Sequence, residues 1–255
     1  MKLFRFKHGQ ESAYGLLRED NLFLVEGSIF GDFEVGRQSL PIGQVTLLPP
    51  VEPSKIVAVG VNYRDHALER GRGLPAEPLL FLKPPSAVIG PNDTILYPRM
   101  SKRVDYEGEL AVVIKKTARQ LDDRAAVEEY ILGYTCSNDI TARDLQDKDV
   151  QFTRAKSFDT FAAVGPCLAT DLDPSDVQIK TFLNGKLRQS SSTRNLIFSV
   201  PELIRFISRI MTLCPGDIIT TGTPAGIGPM QPGDKVDVQI EGIGTLSNTV
   251  MKVWE

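Results

Sequence analysis

The sequence predicts a mainly β protein with a few helices. Its 21 glycines and 17 prolines are scattered over 255 residues without a repeating period, which places turns at short intervals. Runs of β-forming residues are short and stop at those turns. Val177, Ile179, Thr181 and Leu183 alternate before Asn184-Gly185, the dipeptide that supplies the positive φ angles of a type I′ hairpin turn.

Taken in chain order, residues 1–50 alternate apolar pieces such as Leu3-Phe4-Arg5-Phe6 and Leu22-Phe23-Leu24-Val25 with turns near Gly9, Asn21 and Gly27, giving a small β-rich N-terminal unit. The proline-rich stretch Leu48–Pro53 is stiff and poor in amide donors, and marks a boundary with a second unit over residues 51–255. Lys55–Gly60 reads as a buried strand, Asp65–Arg70 as a short helix and Val104–Ile114 as one long strand. Asp122 or Asp123 is a candidate cap for a helix ending before Gly133. Ser199-Val200-Pro201-Glu202 has the spacing of a capping box, with Leu203, Ile204, Ile207, Ile210 and Met211 on the apolar face behind it and Arg205 and Arg209 on the wet one. Strands follow at Ile218-Ile219, Val236–Ile240 and Thr249–Trp254.

Charge and composition exclude several functions. The 29 Lys and Arg nearly balance 32 Asp and Glu, for a net charge of −3, and no basic run exists, so nucleic-acid binding through a basic field is not expected. Cys136, Cys167 and Cys214 are odd in number and lack a CxxC spacing, which argues against a disulfide framework or a thiolate zinc site. With neither a signal peptide nor an apolar span, the chain is expected in the cytoplasm and off the membrane. Only two histidines occur, His8 and His66, so multi-histidine zinc chemistry is excluded. His8 sits in a polar turn, which leaves His66 as the candidate imidazole catalyst.

The acids point to a hard cation. Asp105, Glu107 and Glu109 alternate at the head of the apolar run Leu110–Ile114, and alternation puts all three on one strand face. Like charges held out of water must take up a proton or share a cation; an exposed sheet edge is the alternative. A second β-like stretch, Gly133–Asp139, also ends in an acid. Three carboxylates without imidazole or thiolate suit Mg²⁺ or Mn²⁺, with Ca²⁺ also compatible, and water positions left open for substrate oxygens. Glu69 lies three residues after His66, on one helical face, where it can orient the imidazole as a water-activating base. Arg143, Gln146 and Lys156 follow Asp139 and suit carboxylate and keto oxygens, or alternatively line a solvated helix face. Thr220–Gly228 is a glycine- and hydroxyl-rich turn able to offer amides and an OH to an oxyanion.

The ordered set GVNYRDH, FLKPPSAVIGP, DYEGELAVVI, GYTCSNDITARDLQ, RAKSFDT, TGTPAGIG and IEGIGTLSN resembles the fumarylacetoacetate hydrolase family over about residues 53–250. The resemblance implies a mixed β-sandwich roll, a homodimer, and a divalent cation held by Glu107, Glu109 and Asp139, with Asp105 outside that set. It also implies a His66–Glu69 dyad on a lid, substrate contacts at Arg143, Gln146, Lys156 and Thr223, and Glu241 as an alternative partner for His66. The implied substrate is a small 2-oxo acid whose enolate is stabilised by the metal and Lys156. Hydrolysis of an acylpyruvate C–C bond is the reading preferred, with oxaloacetate decarboxylation or 2-hydroxyhepta-2,4-diene-1,7-dioate isomerisation as alternatives on the same site, and a non-enzymatic metal- or ligand-binding protein as the rival from another class.

Overall fold

The structure, a computed structural model, describes residues 1–69, 71 and 73–253. Its largest sheet has twelve strands. The path across it runs from Phe33–Pro41 through Asn21–Gly27, Glu11–Arg18 and Lys2–His8 to Ala162–Ala169, Ile131–Asp139 and Gly108–Ile114. It ends on Ile218–Thr220, Ile56–Gly60 and Leu79–Lys83. A five-stranded sheet, Lys186–Ser192, Gln178–Leu183, Lys235–Ile240, Gly244–Lys252 and Thr94–Tyr97, packs on the central strands of the first. The fold is thus the mixed β-sandwich that the sequence predicts.

The apolar run Leu110–Ile114 explains why the central strand belongs in the middle. Leu110, Val112 and Ile114 face the core between the sheets, together with Cys136, Ile179, Val238 and Leu246. Ala111 and Val113 face the opposite way, against Val164, Leu168 and Ile218. A strand covered on both faces has no place for a polar side chain, and each large aliphatic fully buried here contributes about 1.5–3 kcal/mol.

Residues 1–50 add five antiparallel strands to the large sheet, the fifth being Thr46–Leu47 beside Lys2–His8, through pairing of Lys2–His8 with Ala162–Ala169. The proline-rich stretch after them is packed: Val51 is buried, and the Tyr14 hydroxyl donates to the Pro50 carbonyl at 2.9 Å. The hairpin forms as expected, with Asn184 and Gly185 at φ of 52° and 74° between Gln178–Leu183 and Lys186–Ser192. The helix Val200–Ile210 carries the expected capping box.

Four expectations are corrected. Val104–Ile114 is two strands, broken at Glu107: Val104–Tyr106 joins a three-stranded sheet with Thr141–Ala142 and Gly228–Met230. The break follows from bonds to side chains distant in sequence, since the Glu107 amide donates to Asn138 Oδ1 at 2.9 Å and the Gly108 amide to Gln189 Oε1 at 3.0 Å. The segment from Asp122 to Gly133 forms no α-helix; Val127–Tyr130 is a single 3-10 turn. The segment before it is held as loop by Arg209, whose guanidinium donates to the Leu121 carbonyl at 3.3 Å, and by Arg205, which donates to the Ala125 carbonyl at 3.0 Å. Arg205 is therefore half-buried and bonded, not simply wet, while Ile210, expected on the apolar face, is exposed. The short helix spans Arg64–Glu69 and the last strand ends at Lys252; the parts of those readings that fall on Arg70 and Trp254 lie outside the described residues.

The three cysteines are free, in line with the sequence. Burial pushes the Cys167 thiol up to about 12, and burial raises Cys136 further still. Neither forms appreciable thiolate near neutrality. Native protein titrated with a thiol-exchange chromophore at pH 8 is expected to show at most one accessible thiol, at Cys214, and all three only after denaturation. Fast reaction of two thiols in the native state would contradict this packing. Among the described residues no helix is long and apolar enough to cross a membrane.

Candidate active site

The acids meet because of register. In the antiparallel ladder between Gly108–Ile114 and Ile131–Asp139, Gly108 lies opposite Asn138 and Glu109 opposite Ser137. One step beyond, the Asp139 amide donates to the Glu107 carbonyl at 2.9 Å. Two strand ends therefore deliver Glu107, Glu109 and Asp139 to one spot, where one carboxylate oxygen from each lies within 4.8 Å of the others. All three side chains are buried.

Each acid is anchored within the protein, Glu107 and Asp139 through both oxygens. Glu107 Oε1 accepts from Arg143, Asp139 Oδ1 from Lys83, and Glu109 Oε2 from the Gly222 amide at 2.7 Å. Lys156 Nζ reaches the remaining oxygens of two of them, Glu107 Oε2 at 2.8 Å and Asp139 Oδ2. Burial alone would raise Glu107, but Lys156 and Arg143 beside it hold its carboxyl well below the usual range. Burial pushes Glu109 well above that range, reinforced by the Asp139 and Glu107 charges. The two ammonium groups and the guanidinium bond to Glu107 and Asp139, whereas Glu109 takes its hydrogen bond from a backbone amide. An all-oxygen donor set of this kind fits a hard divalent cation.

Asp105, on the segment split off by the break, is fully buried and turned away. Its carboxylate accepts from Arg103 Nε and from Arg143 Nε, both at 2.9 Å. The guanidinium of Arg143 is consequently engaged by Asp105, Glu107 and Gln146. Thr223 Oγ1 donates to the Gly108 carbonyl at 2.9 Å and accepts from Gln189 at 2.8 Å. The amides of the glycine-rich turn are used within the protein too, at Gly222 on Glu109 and at Gly226 on Glu69. Gly222 has φ of 94°, and a Cβ there would lie 2.8 Å from that of Asn62.

The short helix brings His66 to the cavity that the three acids line. Its entry is fixed by Asn62, which donates to the Thr221 carbonyl at 2.8 Å and the Phe198 carbonyl at 3.0 Å. Val61, at φ of 52°, adopts a left-handed conformation unfavourable for a β-branched residue, a strain found at ligand sites. Asp65 accepts from the His66 amide and from Ser191 Oγ, both at 2.7 Å. His66 Nδ1 lies 2.9 Å from Glu69 Oε2, and Glu69 Oε1 accepts from the Gly226 amide at 3.0 Å. Glu241 instead accepts from the Gln178 amide at 3.4 Å and lines a separate cavity, so the residue paired with His66 is Glu69.

His66, Glu107, Glu109, Asp139, Arg143, Gln146, Lys156 and Thr223 all line one cavity of about 320 Å³. Its other wall is apolar, made by Val59, Val61, Leu79, Phe81 and Phe152. A larger cavity of about 860 Å³ lies beside Tyr134 and the start of the Val200–Ile210 helix and contains none of these groups. Convergent ionisable groups, not volume, identify the reactive site. Sequence reasoning missed Lys83, whose signal was a lone charge closing the apolar strand Leu79-Leu80-Phe81-Leu82.

A β-sandwich presenting three buried acids beside an imidazole–carboxylate pair defines a class of metal-site proteins. Residues 55–251 match the family model for the fumarylacetoacetate (FAA) hydrolase C-terminal domain, and residues 1–50 match the Rv2993c-like N-terminal model. The chain belongs to the fumarylacetoacetate hydrolase family. It is 43% identical over 232 residues to the oxaloacetate tautomerase YisK of Bacillus subtilis, covering 85% of this chain and 77% of that one. A 5-carboxymethyl-2-hydroxymuconate delta-isomerase from Mycobacterium smegmatis superposes with a TM-score of 0.92 at 42% identity, over 99% of this chain and 100% of the other. A maleylpyruvate hydrolase from Sphingobium sp. SYK-6, solved with manganese(II) and pyruvate, gives 0.83 at 30% identity over the whole of both chains. Members of the family are enzymes, with hydrolases, isomerases and tautomerases among these relatives.

Proposed function

We propose that this protein is a divalent-metal-dependent hydrolase that cleaves the C–C bond of acylpyruvate-type 2-oxo acids. The observation that carries the reading is that His66, paired with Glu69 through Nδ1, lines the same cavity as Glu107, Glu109 and Asp139. When bound by these three acids, Mg²⁺ or Mn²⁺ supplies Lewis acidity to the substrate's carboxylate and keto oxygens; the manganese(II) ion in the maleylpyruvate hydrolase relative supports that choice.

The protein's own groups account for the remaining chemistry. Glu69 accepts the Nδ1 proton of His66, which fixes the tautomer and leaves Nε2 as the base. His66 takes a proton from water, and the resulting hydroxide adds to the distal acyl carbonyl. The bond between that carbonyl and the pyruvyl methylene then breaks, its electron pair passing to the methylene carbon. The proton on His66 passes to that carbon to complete pyruvate, and the acyl half leaves as a carboxylic acid that gives up its proton to solvent. Lys156, held between Glu107 and Asp139, faces the negative charge that develops on the pyruvyl part. The apolar wall of Val59, Val61, Leu79, Phe81 and Phe152 accommodates an acyl group.

The tautomerase and isomerase relatives favour a second reading, in which the same base moves a proton within oxaloacetate or a dienoate without adding water. Oxaloacetate decarboxylation is a third outlet for the same charge. Acetylpyruvate and oxaloacetate assayed side by side with Mg²⁺, Mn²⁺ or EDTA separate them. Metal-dependent loss of acetylpyruvate with stoichiometric acetate and pyruvate, abolished by EDTA, is the expected result. Inert acetylpyruvate with rapid oxaloacetate keto–enol exchange would replace the hydrolase by a tautomerase, and CO₂ release from oxaloacetate alone would replace it by a decarboxylase.

A further inference from the structure

Lys83 is nearly fully buried, 1% exposed, and takes no part in the chemistry above. It ends the Leu79–Lys83 strand at the edge of the large sheet. Period-two alternation puts it on the same face as Leu79 and Phe81, which line the reactive cavity. Its ammonium donates to Asp139 Oδ1 and, at 3.2 Å, to the Ile140 carbonyl. One cation therefore grips both the side chain of the third acid and the backbone immediately after it. A buried ammonium is costly unless paired and hydrogen-bonded, so a lysine here calls for a compensating role.

The contacts of Asp139 supply that role. A carboxylate at a strand end can rotate about χ2, and the convergence of one Asp139 oxygen with one oxygen each of Glu107 and Glu109, within 4.8 Å, depends on that angle. Lys156 touches Oδ2, the oxygen on the side of Glu107. Lys83 occupies Oδ1, so rotation would break its bond. Arg143 does the same for Glu107 and the Gly222 amide for Glu109.

We propose that Lys83 is a positioning residue that fixes the plane of the Asp139 carboxylate, holding one oxygen so that the other is presented to the metal, and so sets the affinity of the site for a divalent cation. The proposal rests on the metal-site reading given above. It predicts an effect opposite in sign to simple electrostatics. Removing an ammonium beside three carboxylates makes the site more negative, and if Lys83 only balanced charge its loss would tighten cation binding. A positioning role predicts weaker binding, because partners that orient metal ligands are worth about 10–100-fold in affinity.

The test is Mn²⁺ titration of the full-length protein, with free Mn²⁺ followed by electron paramagnetic resonance, for wild type, Glu107→Ala, Lys83→Met and Lys83→Gln. Circular dichroism establishes that each is folded. Lys83→Met is expected to bind Mn²⁺ about 10–100-fold more weakly, and Lys83→Gln, which lacks the charge but keeps an N–H donor, to recover a clear part of that loss. Unchanged or tighter binding by Lys83→Met, or equal weakening in both variants, would overturn the positioning role. If Lys83→Met does not fold, Lys83→Gln decides: binding at or somewhat below wild type supports the role, and tighter binding overturns it. Absence of Mn²⁺ binding by wild type itself would instead refute the metal site, so the two failures are distinguishable.

Discussion

Glu107→Ala is expected to lose divalent-cation binding and turnover together. Glu107 is the acid on which the site converges: its carboxylate accepts from both Arg143 and Lys156, and its carbonyl accepts the Asp139 amide at the ladder end. Alanine removes a cation ligand and leaves two buried cations short of a partner. Breaking a buried ion pair from one side costs about 3–5 kcal/mol, a large fraction of the stability of an ordinary domain. Glu107→Gln keeps the shape and one acceptor, so it separates loss of charge from loss of fold. Both variants are expected to show no Mn²⁺ binding by calorimetry and activity down by more than about 10³-fold, the scale of several kcal/mol of lost charge stabilisation. Glu107→Gln should retain a melting transition closer to wild type than Glu107→Ala. A folded Glu107→Ala protein with full activity would sink the metal mechanism.

Much of this arrangement was legible in the sequence, for reasons that differ from residue to residue. The hairpin at Asn184-Gly185 and the helix capped by Ser199 and Glu202 were readable because each is decided within a few residues by backbone conformation or a local hydrogen bond. The central strand was readable because a run without polar residues has to be covered on both faces. The convergence of Glu107, Glu109 and Asp139 was suggested by acids placed at strand ends, but its geometry rests on a register between strands that no local pattern specifies. The break at Glu107 was hidden for the same reason: its cause is the side chain of Asn138, some thirty residues away in sequence. After Gln120 the local signal points to a helix because Asp122 and Asp123 are good caps, and the structure has a loop there. Arg205 and Arg209, from a distant helix, take up the carbonyls that a helix would use. A lone charge at the end of an apolar strand marks Lys83 in the sequence, but its partner Asp139 lies 56 residues away.

His66→Ala is expected to lower kcat by about 10²–10⁴-fold, the range for loss of a positioned general base, while leaving Mn²⁺ affinity unchanged. His66 touches none of the three acids: its hydrogen bonds are to Glu69 through Nδ1 and to Asp65 through its amide. Removing the ring therefore disturbs the base without disturbing the proposed cation site, the converse of Glu107→Ala. Glu69→Gln should act in the same direction and less severely, because an amide oxygen still accepts the Nδ1 proton and holds the ring, but without the charge that stabilises an imidazolium. The order wild type, Glu69→Gln, His66→Ala in kcat, at constant Mn²⁺ affinity, is the signature of a dyad. Equal activity of His66→Ala and wild type on acetylpyruvate would remove the water-activating base on which the hydrolase assignment depends. Loss of hydrolysis with oxaloacetate keto–enol exchange retained would show that cleavage and proton relocation use different groups of one cavity, with His66 serving the step that needs water.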